Sequence, residues 1–120
     1  MKRILIVTQH ADNFSKLAMG LSAEKANDII WVNSVAAARS AAFSLLDLII
    51  IDENLEGRSG LSIAKDMIRV NALAQLALVS ELSPEEFHEA AEGLGVLAKL
   101  PPHPDEKDAE RLLNALMALS

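Results

Sequence analysis

The sequence predicts an α/β fold, a parallel sheet covered on both faces by helices in a three-layer sandwich. Two observations carry the prediction. Short apolar runs rich in Ile, Val and Leu recur at Ile4–Val7, Ile29–Val32, Leu46–Ile51, Leu76–Val79 and Val96–Ala98. Their apolarity is continuous rather than alternating, which is how strands buried on both faces read. The segments between them instead space apolar residues by three and four, the helical period. Five such strand–helix pairs in 120 residues leave loops of a few residues each. Right-handed crossovers between parallel strands satisfy that economy.

Each element has a local reason. After the first run, Phe14, Leu17, Ala18 and Leu21 share one helical face, and Asp12 stands where a cap belongs. Trp31 lies in the second run, where it is expected to pack under a helix. Ser34 can cap a helix that reaches Phe43 and is mostly Ala, the residue with the least helical cost. Leu61, Ala64 and Ile68 mark a third helix, after the turn residues Gly57 and Gly60. Ser83-Pro84-Glu85-Glu86 gives the fourth a capping box with proline at the first helical position, and Gly93 offers a left-handed stop. The fifth begins near Asp105 and carries Leu112, Leu113, Leu116 and Met117.

Composition excludes several functions. Apolar residues make up 51% and charged residues 23%, enough for a packed interior and unlike a disordered tail. Without cysteine there is no disulfide framework, thiolate zinc cluster or thiol nucleophile. A net charge of −6 supplies no basic face to neutralise phosphates, so nucleic acid is not an expected partner. Leu48–Ile51, like every other uninterrupted apolar stretch, is far too short to span a bilayer. Lys2-Arg3 followed by Ile4–Val7 resembles a signal-peptide opening, but Thr8-Gln9-His10 ends the run at once. A cytoplasmic protein, with residues 1–120 as one domain, is the expectation. His10, His88 and His103 fall in different segments without metal-ligand spacing.

Function in such sheets gathers at the carboxyl ends of the strands. Asp52 follows an apolar run directly and opens a Gly-containing loop, where a carboxylate can act as nucleophile or metal ligand. Ser80 and Lys99 each follow another run and are expected at the same edge. An acid, a hydroxyl and an ammonium converging there could accept a phosphoryl group, with the cation offsetting the charge on its oxygens.

The stretch Asp47-Leu48-Ile49-Ile50-Ile51-Asp52-Glu53-Asn54-Leu55-Glu56-Gly57-Arg58-Ser59-Gly60, with Ser80 and Lys99, resembles the receiver domain of bacterial two-component response regulators. The resemblance covers essentially the whole chain. It implies a doubly wound, flavodoxin-like sheet of five parallel strands in the order 2-1-3-4-5. It makes Asp52 the phosphoacceptor, Ser80 the switch hydroxyl and Lys99 the phosphoryl contact. Asp52 and the backbone carbonyl of Asn54 would hold Mg²⁺. A histidine kinase or phosphotransfer protein would be the donor. The helix 4–strand 5–helix 5 face would meet a downstream protein, and the resemblance allows a homodimer through helices 4 and 5. Receiver domains catalyse only their own phosphoryl transfer and dephosphorylation, so no enzyme acting on an external substrate is implied.

The departures are specific. Thr8 and Gln9 stand where receivers carry the acidic pair that binds magnesium, and Mg²⁺ prefers carboxylates plus waters. Val96 stands where the aromatic switch residue is expected, and Leu100 separates Lys99 from Pro101. The interval from Ser80 to Lys99 is short by about one helical turn, so helix 4 should be stubby. The alternative function is therefore a pseudo-receiver, an interaction module that works without phosphorylation.

Overall fold

A computed structural model describes residues 2–23 and 27–119. The main sheet comprises β1 (Arg3–Val7), β2 (Asp28–Val32), β3 (Leu48–Ile51), β4 (Gln75–Val79) and β5 (Ala98–Leu100). All neighbours pair in parallel, in the order β2-β1-β3-β4-β5. The helices are α1 (Ser15–Leu21), α2 (Val35–Ala42), α3 (Gly60–Val70), α4 (Pro84–Ala90) and α5 (Glu106–Ala118). This is the doubly wound sandwich and strand order the sequence implied.

Alternation along each strand splits the core in two. Leu5, Val7, Ile49, Ile51, Leu76 and Leu78 face α2, α3 and α4, where Ala38, Ile63, Met67 and Phe87 complete one cluster. Ile4, Ile6, Leu48, Ile50, Ala77, Val79 and Leu100 face the other way, against Phe14, Leu17, Leu21, Ala109, Leu112 and Leu116 of the α1 and α5 layer. The fully buried Leu and Ile side chains each contribute roughly 1.5–3 kcal/mol of transfer free energy.

Several elements start or end away from their sequence-based positions. β3 begins at Leu48, two residues later than Leu46, and the preceding Asp47 accepts the Arg3 N–H on its carboxylate at 2.8 Å. β5 lies two residues later than Val96–Ala98. Gly93 and Gly95 both hold positive φ (86° and 64°), which keeps the chain turning up to the strand. Pro101, lacking an N–H, then follows its last residue. Asp12 does not cap α1. A 3₁₀ turn, Ala11–Phe14, precedes the helix, and no side chain caps either start. Trp31 is 42% exposed rather than packed under a helix, because β2 is an edge strand with one neighbour. The capping boxes at Ser83/Glu86 and Asp105/Asp108 are both formed, and α4 is short at seven residues.

Candidate functional site at the carboxyl edge of the sheet

Asp52 follows β3 at the center of the sheet, half-buried, and each of its oxygens is engaged. Oδ2 accepts the Thr8 hydroxyl at 2.6 Å, and Oδ1 accepts the Glu53 backbone N–H at 2.8 Å. Thr8, following β1, is buried, and its Oγ1 also accepts the His10 N–H at 2.9 Å. The hydroxyl is thus fixed as a donor to the acid, and an O–H···O⁻ bond of this length is charge-assisted. Gln9 is exposed and reaches only the Glu56 N–H, with its Oε1 at 3.5 Å.

The loop after Asp52 is fastened at several points. Asn54–Leu55 and Arg58–Ser59 form a small antiparallel hairpin whose turn, Glu56-Gly57, has positive φ at both residues. The Glu56 carboxylate accepts the Val35 N–H at the start of α2. Glu53 Oε2 accepts the Glu81 N–H at 2.7 Å, tying the end of β3 to the turn before α4. Gly60 donates its N–H to the Glu53 carbonyl at 2.7 Å, and a Cβ there would run into the Asp52 carbonyl oxygen. Only glycine permits this close approach. Behind the loop, Asp66 binds Arg39 at 2.7 Å and Arg58 at 2.9 Å, joining α2 to α3. These guanidinium hydrogen bonds, Arg39's first, hold its carboxyl below the ordinary value.

Asp52 and Asn54 line a cavity of about 220 Å³ with His10, Asn13, Glu53 and His103. Ser80 lines a neighbouring one of about 270 Å³, which shares Glu53 and Asn54. Its Oγ accepts the Leu82 N–H at 3.1 Å. Asp52, Asn54 and Ser80 therefore gather at one edge. Lys99 lines neither of these two cavities. It lies inside β5, opposite Leu78, rather than past its end. Leu100 points into the α1 and α5 core, so the neighbouring Lys99 points to the opposite face. There it lines a groove with Phe87 and His88 of α4 and Arg111 of α5. On Asp52's side of β5 the sequence has placed a fully buried leucine instead.

Sequence reasoning missed Glu53 and His103. The signal for Glu53 was its position directly after Asp52. His103 enters the Asp52 cavity because the Pro-rich loop turns there with φ of 55°, which no periodicity announces.

The donor set does not make a magnesium site. Asp52 and Glu53 are the carboxylates lining the cavity among the described residues, and one Glu53 oxygen accepts the Glu81 N–H. Both Asp52 oxygens already accept hydrogen bonds. Among the described residues no group of three or more His, Asp or Glu side chains is arranged to hold a metal ion. Nor is any described helix long and apolar enough to cross a membrane.

No family model matches the chain, and no curated protein does. Solved structures do. A two-component response regulator from Clostridium difficile is similar at 21% identity and a TM-score of 0.80, over 98% of this chain and 97% of that one. The chemotaxis response regulator CheY4 of Vibrio cholerae is similar at 15% identity and 0.78, over 97% and 98%. A response regulator from Burkholderia pseudomallei, solved with a phosphorylated aspartic acid, a calcium ion and citrate, is similar at 20% identity and 0.76, over 97% and 66%. The chain has the fold of the response-regulator receiver domains.

Proposed function

We propose that residues 1–120 act as a pseudo-receiver, a signalling module on the receiver fold that presents its α4–β5–α5 face to a protein partner without being phosphorylated. One observation carries this reading: the Asp52 carboxylate is held by Thr8 and Glu53 where a receiver would hold it with a metal ion. Phosphoryl transfer needs a cation to neutralise charge as it builds up on the transferred group. Thr8 and Gln9 supply no carboxylate to bind one, and Lys99 faces the α4 groove. Glu53 supports the same reading, because its own carboxylate ties the Asp52 loop to the turn before α4.

The second reading is a phosphorelay receiver. Asp52 would accept the phosphoryl group from a histidine kinase or phosphotransfer protein, with Ser80 and Lys99 as its contacts and Mg²⁺ on Asp52 and the Asn54 carbonyl. It is favoured by the opening of Asp52 onto its cavity beside Asn54. In neither reading does the chain turn over an external substrate. Affinity capture from the native host separates them. The pseudo-receiver should retain the same partners when Asp52→Ala replaces the wild type, whereas a relay receiver should lose those that require phosphate.

A further inference from the structure

We infer that the groove between α1 and α5 is a second docking surface, and that its occupant is a basic amphipathic helix of a partner protein. The groove holds about 440 Å³ and is separate from the α4–β5–α5 face. Its apolar lining comes from Met19, Gly20 and Ala23 on one side and Leu113 and Met117 on the other. Met19 and Met117 are 67% and 63% exposed, and both line this one groove. Methionine suits such a surface because its unbranched thioether adapts to the contour of a bound side chain. Gly20 sets the shape: a Cβ there would sit 2.6 Å from the Ala109 Cβ, so α1 and α5 cross in close contact and their side chains diverge beyond the crossing.

Charge selects the occupant. Glu106 and Glu110 line the groove, and among the described residues no cationic side chain does. Neither carboxylate forms an ion pair among the described residues. On α5 they stand four residues apart on one face, an arrangement that costs a helix stability when no cation lies between the carboxylates. Arg111 of the same helix pairs with Asp108 and lines the opposite groove, and neither Lys16 nor Lys107 is among the residues lining this one. A second copy placed symmetrically on this groove would bring carboxylate against carboxylate. An anionic bilayer or a nucleic acid would be repelled in the same way. A helix with an apolar stripe flanked by Lys or Arg satisfies both the apolar floor and the two acids. From Glu106 to Met117 the groove runs roughly 17 Å along α5, about three turns of such a helix.

The test is a titration of the ¹⁵N-labelled full chain with a short peptide carrying Leu at helical spacing and Lys elsewhere, beside a counterpart with Glu for Lys. The Lys peptide should shift the amides of Met19, Gly20, Leu113, Asn114 and Met117. Glu106→Gln with Glu110→Gln should weaken it by roughly threefold to tenfold, the range exposed ion pairs supply. Met117→Lys, at an exposed position that leaves the core intact, should abolish it. Absence of shifts, shifts centred on the α4 glutamates, equal binding of the Glu peptide, or undiminished binding by Met117→Lys would each overturn the inference. None of these outcomes depends on whether Asp52 is phosphorylated, so failure here is distinguishable from failure of the pseudo-receiver reading.

Discussion

Replacing Thr8 with valine removes one oxygen and keeps the shape, so it isolates the bond that holds Asp52. A hydrogen bond to a charged group contributes about 1.5–3 kcal/mol net. Asp52 is half-buried and opens onto a cavity, so water can rehydrate the freed oxygen, which favours the lower end, about 1.5 kcal/mol. The His10 N–H, bonded to the same hydroxyl, belongs to an exposed residue and can turn to solvent at little cost. For 120 residues the unfolding entropy is roughly 250 cal/mol/K, so Tm should fall by about 6 °C. Calorimetry, with urea unfolding as a second readout, measures the change. In an Asp52→Ala background the same substitution should cost less than about 0.5 kcal/mol, because its partner is gone. A Thr8→Val variant as stable as wild type, or an undiminished cost without Asp52, would refute the pairing.

Restoring carboxylates should restore a metal site. Thr8→Asp with Gln9→Asp is expected to lower stability without metal, through repulsion against Asp52, and to gain a rise in Tm on adding Mg²⁺. An affinity gain of at least about tenfold by titration calorimetry, the equivalent of 1.4 kcal/mol, is expected over wild type; no gain would contradict the role given to those positions. Acid should weaken the fold through Asp66 and Asp108. Burial raises the Asp108 carboxyl, but the Arg111 hydrogen bond and the Asp105 N–H outweigh it, and the net shift, like that of Asp66, is downward from 3.8. Protonation therefore favours the unfolded chain, so their contribution is complete above about pH 4 and is lost as pH falls through the lowered values. Urea midpoints measured against pH should show this fall, and Asp66→Asn with Asp108→Asn should flatten it; parallel curves would contradict the assignment.

The layers of the fold were legible because burial on both faces leaves continuous apolar runs and helical spacing leaves stripes. Ser83 and Asp105 marked two helix starts for the same reason their side chains cap them. Asp52 was legible as a carboxylate directly following an apolar strand. Lys99 lies inside β5 rather than after it because a shift of two residues in a short strand, set by Gly93 and Gly95, leaves the residue types unchanged while changing which of them lie at the edge. Parity then turns its side chain to the other layer and puts Leu100 on Asp52's side. The bond from Thr8 to Asp52 joins residues 44 positions apart, and only the parallel pairing of β1 with β3 brings them together. Trp31 followed the usual behaviour of aromatics until the sheet order placed its strand at an edge.

The most direct measurement is the intact mass of the wild-type chain after incubation with acetyl phosphate and Mg²⁺, with Asp52→Ala as the control. An unchanged mass is the predicted result. A stoichiometric gain of one phosphoryl group, absent in Asp52→Ala, would show that the acid is a working phosphoacceptor and would contradict the pseudo-receiver reading.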